Sequence, residues 1–144
     1  MSGLMPWEPI SDEQNNSQKN MQFFNSPNAP APGGHYSQAV IHNGLIYISG
    51  QLPINPFTGE KVKGSVEEQT RQVLDNMNTI LNDAGTSKKN VLKCTVYISD
   101  INLWGKVNEV YRDFFGKHKP ARVVVPVKDL HFGFLIELEA IAAI

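Results

Sequence analysis

A chain of 144 residues falls within the size of one domain and can bury roughly two thirds of its unfolded surface in a single core. With 41% hydrophobic and 19% charged residues, it has neither the sparse apolar content of a disordered chain nor the long apolar runs of a membrane protein. A net charge of −1 gives no general attraction for a phosphate backbone. The single cysteine, Cys94, allows no intrachain disulfide and no cysteine metal cluster, which suits a reducing compartment.

The first twenty residues, MSGLMPWEPISDEQNNSQKN, contain neither a basic n-region nor a long apolar stretch. No secretory signal is expected, no later stretch would span a bilayer, and cytoplasm is the simplest location. Residues 1–20 are too polar to offset their ordering entropy and read as a flexible tail, leaving 21–144 as one domain. Pro and Gly between Ser26 and Gly34 block helix and suit an extended lead-in. Gln38 to His42 and Leu45 to Ser49 flank Asn43-Gly44, the dipeptide favoured where both turn residues need positive φ, so they predict a β-hairpin. Gln51 to Gly64, with Pro53, Pro56 and Gly59, is a long polar connection expected near the site.

Ser65 and Glu68 have capping-box spacing and Gly85 is a stop signal, so a helix is predicted between them. Val66, Thr70, Val73, Leu74, Met77, Ile80 and Leu81 form its buried stripe. Val91 to Ile98 reads as a strand in which Cys94 alternates with Leu92 and Val96, a buried structural cysteine. Ser99-Asp100 offers caps for a second helix ending near Lys117, with Trp104, Val107, Val110, Tyr111, Phe114 and Phe115 buried. Ala121 to Val127 and Phe134 to Ile144 complete the order ββ, α, β, α, β, β, an α+β fold with two helices on one face of a mixed sheet. Alternate residues of the last strand are apolar on both faces, and two helices cover only one, so oligomerisation is expected.

Arg122 lies among Ala121, Val123, Val124 and Val125, in a run typical of a strand buried on both faces, where a guanidinium needs an anionic partner. Glu137 and Glu139, on one face of the next strand in sequence, are the internal candidates; a ligand carboxylate is the other. A plain Arg–Glu core pair and a ligand site both fit, although one arginine leaves one of two carboxylates over. Burial would raise the pKa of Glu137 and Arg122 nearby would lower it, a contest the sequence leaves open. Tyr36 reads equally as a packing or a site tyrosine, Asn108 as a solvent-facing or hydrogen-bonding residue of the second helix, and Ser49 before Gly50 as a turn hydroxyl. His35, His42, His118 and His131 lack metal-site spacing, and no metal is predicted. The short basic clusters Lys88-Lys89 and Lys117 to Lys119 fit a solvated face.

Pro120-Ala121-Arg122, followed by Ile136-Glu137-Leu138-Glu139-Ala140-Ile141-Ala142, resembles the C-terminal signature of the RidA (YjgF) superfamily, the reactive intermediate deaminases. Asn28-Ala29-Pro30, Gly34-His35-Tyr36-Ser37-Gln38, Ser49-Gly50-Gln51-Leu52-Pro53, Asn55-Pro56-Phe57-Thr58-Gly59-Glu60 and Val107-Asn108 extend the similarity over Met21 to Ile144. The resemblance implies a chorismate-mutase-like fold, a homotrimer with clefts between subunits, and hydrolysis of imines and enamines such as 2-aminoacrylate to a 2-keto acid and ammonia, without metal or cofactor. By the same resemblance Arg122 would hold the substrate carboxylate and Glu137 would position water, while Tyr36, Ser49, Gly50, Asn108 and Val124 would line or shape the cleft. Three positions depart from the pattern: Val124 where cysteine is frequent, Pro126 within the strand, and His131 where proline is common. Val124 and Pro126 leave open a non-catalytic binding module for small carboxylates such as 2-keto acids or amino acids. An endoribonuclease or translation inhibitor, reported for some relatives, is the third reading, disfavoured by the weak charge.

Overall fold

The computed structural model describes residues 20–144, so all but the last residue of the expected tail lies outside the described residues. Six strands, β1 (Gln22–Phe24), β2 (Ala39–His42), β3 (Leu45–Gln51), β4 (Val91–Ile98), β5 (Ala121–Pro126) and β6 (Ile136–Ala143), form one sheet in the order β1-β2-β3-β6-β4-β5. All neighbours are antiparallel except β4 and β5, which run parallel. The two helices are α1 (Val66–Asp83) and α2 (Trp104–Phe115).

Local chemistry sets most of these boundaries. Asn43 and Gly44 take φ of 51° and 75°, closing the β2–β3 hairpin with the expected turn. The Ser65 hydroxyl accepts the Glu68 N–H at α1's start, and at its end Gly85 (φ 89°) lets the Thr86 N–H reach the Leu81 carbonyl, a Schellman closure. The predicted stripe of α1 is buried throughout. In α2 it is buried except for Trp104, which is 43% exposed. Trp104, the first residue of α2, lies instead beside Arg122 of the edge strand β5.

Strand register separates the sheet into two unlike faces. Ile46, Ile48, Cys94, Val96, Ile98, Ile136, Leu138, Ala140 and Ala142 share the side packed into the hydrophobic core with the helices. Each fully buried branched side chain there contributes about 1.5–3 kcal/mol, and truncating Leu138 to alanine would cost roughly 2–5 kcal/mol. The opposite side carries Tyr47, Thr95, Tyr97, Glu137, Glu139 and Ile141, all partly or largely exposed.

β5 is an edge strand, not one buried on both faces: Ala121, Val123 and Pro126 are exposed, and Arg122 and Val124 only partly buried. A Val-rich run has the same composition at an edge as in a centre, because composition reports an apolar surface and not what covers it. Pro126 ends the strand, where a missing N–H disturbs no interior ladder. Consecutive in sequence, β5 and β6 are not neighbours, since β4 lies between them. Leu92 is 48% exposed because the β4–β6 register shifts between Val91 and Lys93. Strand β1 has no sequence signal, being three residues long and owing its existence to pairing with β2.

Candidate active site

Arg122 pairs in register with Cys94, which turns its side chain to the helix-bearing side of the sheet edge. Trp104, Asn108 and Tyr111 follow one another at helical spacing on α2 and meet it there. Arg122 Nη1 donates to Asn108 Oδ1 at 2.9 Å, and the guanidinium carbon lies 4.8 Å from the Tyr111 ring centroid and 5.5 Å from that of Trp104. An amide and two π-faces thus orient the cation, each face contributing about 0.5–1 kcal/mol at a part-exposed site. Of the five N–H donors of the fork, Asn108 engages one, and the group borders a cavity of about 390 Å³. Cys94 lies beneath, its thiol pushed up to about 11 by burial, so it stays protonated at neutral pH and has the expected structural role. Val124, two residues along the same side, packs on the core as part of the strand wall.

Glu137 stands on the other side of the sheet. A Cβ at Gly50 would lie 2.5 Å from Glu137 Oε2, so the carboxylate occupies a notch that only glycine leaves. Burial, and then the like charge of Glu139, raise the Glu137 pKa above the ordinary carboxylate value, with His131 pulling weakly the other way. Arg122 has no part in that balance, which settles the contest between burial and arginine within one chain. Glu139 accepts a hydrogen bond from the Tyr97 hydroxyl at 2.8 Å. Tyr36 is half-exposed and borders one cavity with Gly50 and another with Ser49. The Ser49 hydroxyl donates to the Ser37 carbonyl at 2.7 Å, so it holds the loop that carries Tyr36.

One chain therefore brings Asn108 to Arg122, and Glu137 to Gly50, with Tyr36 and Ser49 around a neighbouring hollow, but not the two groups to each other. Two strand spacings of about 4.8 Å and opposite faces of the sheet separate Arg122 from Glu137. The expected Arg–Glu pairing is absent for that reason, and Asn108 takes the partner's place. Among the described residues, no three His, Cys, Asp or Glu side chains gather as metal ligands would.

Buried polar residues that the sequence did not flag brace both regions. Gln38 accepts the Ser26 N–H and donates to the Ser26 and Pro30 carbonyls, fixing the lead-in. Asn76 donates to the Leu52 and Ile54 carbonyls, and Gln69 accepts the Leu135 N–H two residues before Glu137. An amide on an apolar helix stripe was the available signal, since a buried amide must find partners. Trp104, expected in the core, is instead half of the guanidinium's aromatic support.

The family model described as Endoribonuclease L-PSP matches residues 26–144. The chain belongs to this family, the YjgF/RidA family. It is 54% identical over 115 residues to a RutC family protein of Pyrococcus horikoshii, covering 80% of this chain and 91% of that one. It is 47% identical over 116 residues to the 2-iminobutanoate/2-iminopropanoate deaminase of Homo sapiens, covering 79% and 85%. The crystal structure of E. coli TdcF with bound serine superposes with a TM-score of 0.81 at 36% identity, covering 85% of this chain and 98% of that one. The YjgF/RidA fold here is the mixed sheet with two helices described above. Among the described residues no helix is long and apolar enough to cross a membrane.

Proposed function

We propose that the chain hydrolyses reactive 2-imino and 2-enamino acids to a 2-keto acid and ammonia, in clefts completed between copies of itself. The observation that carries this reading is the contrast between an arginine oriented by Asn108 and two aromatic rings and a half-buried glutamate whose ionised form is disfavoured. The first suits an anionic substrate group and the second suits proton exchange near neutrality. Imines hydrolyse unaided in water, so orientation and general acid–base help of about 10²–10⁴-fold are all that the protein has to add.

In this scheme Arg122 holds the α-carboxylate. A 2-enamino acid first tautomerises to the imine. Glu137 then takes a proton from water as the oxygen adds to the imine carbon and returns it to the nitrogen. As the C–N bond breaks, the hydroxyl proton of the adduct passes to the nitrogen by the same carboxylate, so that ammonia leaves and the 2-keto acid remains. Tyr36 and Gly50 shape the wall beside the carboxylate, and Val124 narrows the strand side of the cleft. Since the two groups face away from each other in one chain, a copy supplies the missing half, and covering the open face with copies explains its exposed Tyr47 and Val123. A homotrimer with three clefts is the specific form proposed. The relatives named as imine deaminases, and the one with bound serine, an amino acid with an α-carboxylate, support the substrate class.

An assay in which an amino-acid oxidase supplies free imine tests the activity, with faster decay expected from the wild type and not from Arg122→Ala. Calorimetry with 2-oxobutanoate separates turnover from the binding-module reading, which requires tight binding and no acceleration. Light scattering on the untagged protein tests the assembly, and an active monomer of 16.0 kDa would refute it.

A further inference from the structure

The cavity beside Arg122 continues past it along the end of α2. Arg112, Phe115, His118 and Lys119 border it with Asn108, Tyr111 and Arg122, and no Asp or Glu is among the lining residues. Its volume, about 390 Å³, exceeds what a two- or three-carbon imino acid would fill. Asn108, which fixes Arg122, and Arg112 are four residues apart on α2, so Arg112 stands about one helical turn, ~5.4 Å, beyond that anchor on the same face. Lys119 reaches the same space from the segment leading into β5. The carbonyl end of a helix disfavours anions, but here the Arg112 carbonyl is already taken up by the Gly116 N–H, and Arg112, Lys119 and Arg122 supply positive charge to the space. Tyr111 and Phe115 give the cavity an apolar floor that suits methylene groups.

We infer that this cavity receives the side-chain carboxylate of an acidic 2-imino acid, so that the preferred substrates are imino diacids with two or three carbons between their carboxylates. The inference rests on the hydrolase reading for its chemistry: water adds to the imine carbon, the C–N bond breaks, and a 2-keto diacid and ammonia leave, with no oxidant or reductant consumed. Arg122 takes the α-carboxylate, and Arg112 and Lys119 take the distal one. Both are exposed, so each adds only a few-fold, and together they favour the diacid by roughly three- to tenfold.

The test compares kcat/KM for the imines of glutamate and of 2-aminobutanoate, generated in situ, in the wild type and in an Arg112→Gln/Lys119→Gln double variant. A wild-type ratio in favour of the diacid that falls by at least threefold in the variant is expected. A ratio at or below one, or one that the variant leaves unchanged, would overturn the inference. Calorimetry with 2-oxoglutarate against 2-oxobutanoate decides it separately: if neither imine is turned over the hydrolase reading fails, while tighter binding of 2-oxoglutarate that the variant abolishes still upholds the cavity's preference. Competition of a short RNA with 2-oxoglutarate, stronger than that of inorganic phosphate and lost in the variant, would reassign the cations to a nucleic-acid backbone.

Discussion

Arg122 and Glu137 are held by opposite means. Arg122 sits on an edge strand, on the helix side, and is fixed by groups that leave its charge alone: an amide oxygen and two aromatic faces. Glu137 sits on an inner strand, on the open side, where burial and Glu139 act on its charge directly. In the proposed reaction the first arrangement would serve as a permanent anchor and the second as a group that exchanges protons. Within one chain the sheet keeps the two charges apart, so the raised pKa of Glu137 owes nothing to Arg122.

The sharpest way to break the comparison is to remove one half at a time and then recombine. Arg122→Ala and Glu137→Gln are each expected to lower kcat/KM for imine hydrolysis by about 10²–10⁴-fold. Mixing the two variants after partial unfolding and refolding should restore roughly a quarter of wild-type activity if a cleft takes one group from each subunit, because a random pairing unites two intact halves that often. No recovery, with mixed assemblies shown by mass spectrometry, would place both groups in one subunit's site.

Gly50→Ala tests the notch around the carboxylate. The added methyl would meet Glu137 Oε2 at 2.5 Å, forcing the carboxylate to move, and a displacement near 1 Å is expected to lower kcat about 10²-fold with a smaller change in KM. On the other side, Asn108→Ala should leave the charge and loosen its aim. Losing a hydrogen bond to a charged group, about 1.5–3 kcal/mol, predicts a rise in KM of roughly tenfold or more with kcat less affected, measured by steady-state kinetics.

The smallest effects concern pH. A raised Glu137 pKa puts the acid limb of kcat/KM above the ordinary glutamate range, since the ionised form is the base. Glu139→Gln removes a like charge and should move that limb to lower pH, whereas His131→Gln removes an opposing one and should move it up. Stability follows with its own sign: a carboxyl whose folded pKa is raised favours the folded state below its unfolded value and loses that contribution as pH rises through the folded one. Glu137→Gln should therefore be more stable than the wild type above that window, by thermal melts at several pH values, and show no such gain below it.

Much of the molecule was legible before any coordinates. The hairpin at Asn43-Gly44, both ends of α1, its buried stripe and the limits of β4 are written in local chemistry: positive φ, capping hydroxyls, apolar residues at the spacing of a helix turn. Arg122, Glu137 and Glu139 stood out as charges amid Val, Leu and Ile, although each is only partly buried and their proposed roles come from the resemblance and not from a cost of burial. Their arrangement was not legible. That β4 separates β5 from β6, that β5 is an edge, and that Arg122 turns to α2 while Glu137 turns away depend on strand order and register, which join residues far apart in sequence. Local pattern fixes what each segment is, since those energies act over a few residues. Which segments become neighbours, and so whether Arg122 meets a glutamate or Asn108, is decided by the packing of the whole sheet, in which every strand's place depends on all the others.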